Sequence, residues 1–292
     1  LSWVALDGAL VEREKATVSV YDRGFLYGDS VFETLRTYRG RLFRLESHVS
    51  RLARSAAIVR MRLPVEGAAL VEECQRLVDV VRRSEIDRGA APPELSIRVL
   101  VSRGESELGL VPRGEARARR VTYLERLVPP PASLYERGAR VLLVETHRPS
   151  DAARGAKVGN YLESLLCLMR ARDAGADEAL VVAGDGAVVE GATSNVFSVR
   201  DGALTTPPED AGLLPGITRA FVLELAAEAG LSVAERRLTA EDLMTADEAF
   251  LTSTLREIAP IGGVMAGERS RELRPGPVTA LLRERFSRAV DG

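Results

Sequence analysis

Ala179-Leu180-Val181-Val182-Ala183, a turn at Asp185-Gly186, Ala187-Val188-Val189-Glu190, then Asn195-Val196-Phe197-Ser198-Val199 and a second turn at Asp201-Gly202: this stretch decides the fold class. Short apolar runs broken by Asp-Gly are strands joined in hairpins. A doubly wound parallel sheet would need a crossover helix at each of those breaks. Strand runs with helices set between groups of them give an α+β architecture instead.

Outward from these hairpins, Val141 to Val144 reads as a short buried strand, and Leu162 to Ala174 as a helix preceded by the turn Lys157-Val158-Gly159-Asn160. Gly216-Ile217-Thr218 opens an apolar helix, a short helix starts at Thr239, a strand spans Glu248 to Thr252, and a last helix follows Pro277. Upstream, Pro129 to Pro131 can continue neither a helix nor a central strand and reads as a stiff connection. The chain therefore divides into a small N-terminal α/β domain (1–127), a linker (128–137) and a larger C-terminal domain (138–292). The first domain is expected to hold a hairpin from Trp3 to Val11, a strand from Thr17 to Val20, a short helix from Asp29 to Arg36 and a strand after Arg39-Gly40. Helices at His48–Val59 and Val65–Val81 follow, then a strand through Leu95, Ile97, Val99 and Val101, and a mobile Gly-, Glu- and Arg-rich loop from Arg103 to Arg120.

The composition of the 292 residues, 46% hydrophobic and 28% charged, is that of a globular protein. With 40 basic and 42 acidic side chains the net charge is -2, which argues against nucleic acid or an acidic membrane surface as partner. The longest stretch without a charged residue, Ile258 to Gly267, is half of what a membrane helix needs. Leu1 to Gly8 reads as a strand entering a hairpin and not as a signal peptide, so a cytoplasmic location is expected. Cys74 and Cys167 sit in apolar helical patterns as buried thiols, and with His48 and His147 they make no recognisable metal spacing.

All but two of the 40 basic residues are Arg; the lysines are Lys15 and Lys157. Only Lys can lose its proton near neutral pH and form a Schiff base. Lys157 precedes Tyr161 by four residues, a spacing that puts an amine and a phenol on one helix face. Glu190 ends an apolar strand, where a carboxylate needs a cationic or protonated partner. Gly216-Ile217-Thr218 at a helix start and Thr252-Ser253-Thr254 after a strand offer N–H groups and hydroxyls to a phosphate, and Arg51 offers a bidentate contact. P-loop, dinucleotide-binding and nucleophile-elbow motifs are missing from the sequence.

Six blocks occur in order: Tyr21 to Arg36, His48-x-x-Arg51-Leu52, Lys157-x-x-Asn160-Tyr161-Leu162, Glu190-Gly191-x-x-Ser194-Asn195, Leu214 to Arg219, and Thr252-Ser253-Thr254-x-x-Glu257-Ile258. Together they resemble the class IV aminotransferases, the fold-type IV pyridoxal phosphate enzymes that include branched-chain aminotransferase, D-amino acid aminotransferase and aminodeoxychorismate lyase. The resemblance runs from about Val4 to the last helix. It implies a two-domain fold and a homodimer whose partner loop helps close the site. Lys157 would carry the cofactor as a Schiff base, Glu190 would pair with the pyridine nitrogen, and Tyr161 would bond the ring phenolate. Arg51, Ile217, Thr218 and Thr254 would hold the phosphate, with Ser194, Asn195 and Ser253 also around the cofactor. Tyr27, Phe32, Arg98, Arg103 and Leu255 would face the substrate.

The resemblance implies transfer of an amino group between an amino acid, branched-chain-like or D, and a 2-oxo acid. Phe32-Glu33-Thr34 and Ser96 depart from the usual branched-chain pattern, which has Phe-Glu-Gly and a Tyr near that position. Aminodeoxychorismate lyase is the alternative within the fold. A non-catalytic cofactor-binding homologue is the more distant one, and retention of both Lys157 and Glu190 speaks against it.

Overall fold

The computed structural model describes residues 2–113, 116–146 and 153–291; His147 lies outside the described residues. Its contacts divide the chain into two compact units, Leu1–Val128 with Ala156–Asn160, and Pro129–Gly155 with Tyr161–Gly292. The α+β class holds. The boundary differs from the expected one in two ways. The supposed linker forms a helix at Ala132–Arg137 whose Leu134 is buried in the second core, and the five residues around Lys157 belong to the first unit.

The first unit contains β1 (Ser2–Leu6), β2 (Ala9–Val11), α1 (Arg23–Tyr27), β3 (Ser30–Tyr38), β4 (Arg41–Leu42), α2 (Leu45–Ile58), α3 (Gly67–Asp87), β5 (Leu95–Ser102) and β6 (Arg119–Arg126). The strands form one antiparallel sheet in the order β2-β1-β6-β5-β3-β4. Where the sequence reading expected a helix over Asp29–Arg36, β3 runs. Its β-branched and aromatic residues favour a pleated surface, and its alternation sends Val31 and Leu35 into a core shared with Leu52, Leu77 and Val78 of α2 and α3. Thr17–Val20 is not a strand: Val18 and Val20 are 48% and 64% exposed and find no sheet to join. The expected mobile loop after Arg103 is in part tied down, since the buried Arg23 donates to the carbonyls of Gly109 and Leu110 and to Asp29.

The second unit opens with α4 (Ala132–Arg137) and β7 (Ala139–Glu145), followed by α5 (Leu162–Asp173), β8 (Glu178–Val182), β9 (Ala187–Gly191), β10 (Asn195–Arg200), β11 (Ala203–Thr206) and α6 (Ile217–Glu228). It ends with β12 (Val233–Glu235), β13 (Leu238–Thr239), α7 (Ala240–Met244), β14 (Glu248–Ser253), β15 (Glu257–Ala266), β16 (Arg269–Glu272) and α8 (Pro277–Asp291). Its mixed sheet has the order β12-β11-β10-β14-β15-β7-β8-β9-β13, with β16 on β15. The hairpins at Asp185-Gly186 and Asp201-Gly202 stand as read. The uncharged run at Ile258 turns out to be β15 in mid-sheet, a strand disguised in sequence by Pro260, Gly262 and Gly263. Among the described residues no helix is long and apolar enough to cross a membrane. Cys74 and Cys167 are buried thiols outside any disulfide, and burial pushes Cys74 up to about 12.

A buried ionic cluster borders the first core. Glu33 lies on the same face of β3 as Val31 and Leu35, and α2 presents His48 and Arg51 to it. Its carboxylate accepts from Arg51 Nε at 2.6 Å, Arg51 Nη2 at 2.8 Å and His48 Nδ1 at 2.7 Å. Burial alone would raise the Glu33 carboxyl, but the hydrogen bonds from Arg51 and His48 outweigh it and hold it at about 2. Burial also lowers His48 below its ordinary 6.5, so a neutral ring donates Nδ1–H to an ionised carboxylate. Both groups bind fewer protons folded than unfolded, so their stabilisation is complete above the unfolded values and is lost as pH falls. The stability advantage of cofactor-free wild type over Glu33→Gln should therefore be largest near neutral pH and narrow by on the order of 3 kcal/mol by about pH 2. Urea unfolding at a series of pH values measures it; an advantage flat down to pH ~3 would show Glu33 uncharged in the core.

Candidate active site

Lys157 is held by the first unit through its backbone. The N–H donates to Ser55 Oγ at 2.9 Å, and the carbonyl accepts from Phe32 N–H at 3.0 Å. Val158 bridges Val31, and Gly159 N–H donates to Ser30 O at 2.7 Å, so the segment pairs with the part of the β3 edge that β4 leaves uncovered. Glycine at 159 allows this approach with the Ser30 hydroxyl where it stands, since a Cβ there would meet Ser30 Oγ at 1.9 Å. The Lys157 ammonium sits 4.4 Å from the centroid of the Phe32 ring, and the Arg98 guanidinium 4.9 Å from the same ring. Lys157 is thus on an extended segment, and α5 begins only at Leu162; the helical pairing of Lys157 with Tyr161 inferred from their spacing does not occur. Tyr161 is the N-cap of α5 in the second unit.

Three further expectations concern the first unit. Arg51 is on α2 in the Glu33 cluster, 3% exposed. Tyr27 accepts from Gly109 N–H at 3.1 Å and stacks with Arg23. Arg103 lies just beyond β5 and does not fit a substrate role: its guanidinium donates to both Asp29 oxygens and to the carbonyls of Val59 and Arg60. Burial raises the Asp29 carboxyl, but those bonds, with the one from Arg23, outweigh it and lower it.

In the second unit Glu190 ends β9. Its Oε2 accepts from Leu214 N–H at 2.9 Å and from Asn195 Nδ2 at 3.4 Å, while Asn195 Nδ2 also donates to Leu214 O at 3.0 Å. The same Asn195 packs against the start of α6: a Cβ on Gly216 would fall 2.0 Å from Asn195 Oδ1, so glycine is required there. Gly216 brings no side-chain cap to α6, and the first-turn N–H groups around Ile217 and the buried Thr218 are donors of the kind a phosphate uses. Thr252, Cα partner of Asn195, has a buried hydroxyl with no hydrogen-bond partner among the described residues, and Ser253, Thr254 and Leu255 lead out of β14 after it. Ser194 turns away from this group to Glu178, 3.3 Å from its Oε2, in a buried network with Thr193 and Arg256. The donor set of the second unit, an uncapped helix start, an orphaned hydroxyl and an oriented carboxylate, fits a phosphate and a protonated ring nitrogen.

Glu33 and His48 stand in the sequence motifs without an expected role, and nothing in the motifs points to Ser55. Once Ser30–Tyr38 is read as a strand, the alternation Val31, Glu33, Leu35 marks a buried carboxylate; His48, Arg51 and Ser55 at i, i+3 and i+7 mark the helix face that meets it. Among the described residues no group of acids, histidines and cysteines could hold a metal ion.

The sequence profile of the amino-transferase class IV family matches residues 30–264. A curated putative branched-chain-amino-acid aminotransferase of Methanocaldococcus jannaschii is 39% identical over 97% of this chain and 94% of its own length. D-alanine aminotransferase of Bacillus licheniformis is 32% identical over 94% and 93%. The crystal structure of Escherichia coli branched-chain amino acid aminotransferase superposes with a TM-score of 0.86 at 32% identity, covering 98% of this chain and 93% of that one. The family match begins within the first of the six motif blocks, takes in the other five, and reaches into both units. The chain belongs to the class IV aminotransferase family, and it is a pyridoxal phosphate-dependent aminotransferase of fold type IV.

Proposed function

We propose that this enzyme moves an amino group between a branched-chain L-amino acid and a 2-oxo acid, as a cytoplasmic homodimer. The observation that carries the substrate class is the Phe32 ring with the Lys157 ammonium on it and the exposed Arg98 beside it: an apolar wall for an aliphatic side chain, and a cation for a carboxylate. The substrate named for the archaeal relative and for the Escherichia coli structure supports the same reading. Tyr27 and Leu255 complete the substrate side.

When bound, pyridoxal phosphate supplies a carbonyl carbon for Schiff-base chemistry and a ring that delocalises the charge left when a Cα proton departs. The protein's part is positioning and proton transfer. Lys157 Nζ would hold the cofactor and carry the proton to and from the substrate Cα. Glu190, oriented by Leu214 and Asn195, would keep a proton on the ring nitrogen. Tyr161 would bond the ring oxygen. Arg51, the N–H groups of Ile217 and Thr218, and the hydroxyls of Thr218, Ser253 and Thr254 would hold the phosphate. Ser194 acts at one remove, fixing the turn between Glu190 and Asn195.

The dimer reading is supported by α5, where Leu162, Leu165, Leu166 and Met169 form an apolar stripe at i, i+3, i+4 and i+7, each about half exposed or more.

Borohydride reduction of the loaded protein should fix the cofactor on Lys157. Lys15, whose side chain is 71% exposed and paired with Glu12, should stay unmodified, and a peptide map with the adduct on Lys15 would overturn the assignment. L-leucine, L-isoleucine and L-valine alone should convert the cofactor spectrum to that of its amine form, and a 2-oxo acid should restore it. Faster conversion by D-alanine would move the reading to the D-amino acid branch, and pyruvate release from aminodeoxychorismate without conversion would move it to the lyase. Leu166→Glu should shift the sedimentation coefficient from dimer to monomer; a wild-type monomer would end the dimer reading.

A further inference from the structure

Glu33, His48 and Arg51 are 1%, 1% and 3% exposed, an ion pair and a neutral imidazole inside an apolar core. A buried ion pair rarely stabilises a core more than well-packed apolar side chains would, so stability is a poor reason for this one to exist. Its geometry suggests a better reason. Glu33 takes the Nε and Nη2 atoms of Arg51 with its two oxygens, a bidentate contact that fixes the plane of the guanidinium. His48 donates to the same Oε2 that meets Nη2, which stops the carboxylate from swinging. The α2 face that carries His48 and Arg51 also carries Ser55, the acceptor for the Lys157 N–H, and Phe32, next to Glu33 on β3, lies under the Lys157 ammonium. One helix face and two adjacent strand residues therefore locate both the guanidinium and the amine.

We propose that Glu33, braced by His48, is a positioning residue for cofactor binding: it holds the Arg51 guanidinium in a single orientation before the cofactor phosphate arrives. The proposal rests on the reading that Arg51 meets that phosphate. A preoriented guanidinium loses little side-chain freedom on binding, whereas a released one must be ordered by the ligand. A flexible Arg51 would still attract a phosphate, but more weakly.

The test is equilibrium binding of pyridoxal phosphate and of phosphate-free pyridoxal to the cofactor-free protein, followed by absorbance, in wild type and variants. Glu33→Gln should weaken pyridoxal phosphate about tenfold or more and leave pyridoxal unchanged. The 31P resonance of the bound phosphate should broaden or shift. His48→Leu should weaken the phosphate form in the same selective way, and His48→Asn, which keeps a donor near the Nδ1 position, should restore most of the affinity. Glu33→Gln/Arg51→Gln should bind no worse than Arg51→Gln, because Glu33 acts through Arg51. Should Glu33→Gln not fold, the two His48 variants carry the comparison. Equal weakening of both ligands, or no weakening of either, in a background where Arg51→Gln is phosphate-selective would make Glu33 a structural residue and overturn the proposal. If Arg51→Gln itself does not discriminate between the ligands, the phosphate reading of Arg51 falls, and the proposal with it.

Discussion

The proposed chemistry depends on holding one peptide, that of Lys157, against the start of β3. Ser55 Oγ, Phe32 N–H and the Val31–Val158 bridge grip that peptide, and Gly159 lets it come close to Ser30. These bonds fix the backbone, so the amine proposed for the chemistry starts from one place, and the entropy of ordering that peptide has been met before any ligand arrives.

The second unit solves a related problem with a different device. Glu190 lies at a strand end that would otherwise fray, and it is bound to Leu214 N–H and Asn195, with Asn195 wedged against Gly216. A carboxylate, a turn and the start of α6 are thereby locked into one piece. Behind it Glu178, fully buried, gathers Thr193, Ser194 and Arg256, and the Arg256 N–H also donates to Ser253 Oγ. The turn after Glu190 and the turn after β14 are thus tied through side chains that belong to neither hydrogen-bonded ladder. Such cross-links keep donor groups fixed where backbone alone would be loose, which is what electrostatic preorganisation requires.

What the sequence disclosed and what it hid follow from the range of the forces. Asp-Gly hairpins, the helix start at Thr239, the apolar periodicity of α2 and α3 and the apolar character of α6 are local, and they were legible. Lys157 and Glu190 stood out because one is a rare residue type and the other a carboxylate in an apolar run. The failures are all non-local. The Asp29–Arg36 stretch looks helical until β5 is there to pair with it, and β15 contains Pro260 and two glycines that only its neighbours make tolerable in a strand. Arg103 looked available for a substrate because its partner Asp29 lies far back in sequence. The spacing of Lys157 and Tyr161 misled because pairing with β3 overrode helical continuation.

The near-absence of lysine acquires a physical meaning from the structure. Arg23, Arg51 and Arg120 are each 4% exposed or less, and each spreads its guanidinium over two or more acceptors: carboxylate oxygens, and for Arg23 also two carbonyls and a hydroxyl. A lysine in any of these places would bring a compact ammonium to a site shaped for a fork, and would leave acceptors unmet in a low-dielectric interior. Guanidinium also stays charged at every accessible pH, so these contacts do not titrate away. The reactive amine needs the opposite property, a nitrogen able to lose its proton and form a covalent bond. Arginine therefore serves where a permanent, forked cation is needed, and lysine, the residue type able to form a Schiff base, is kept at 157, the position proposed for that bond.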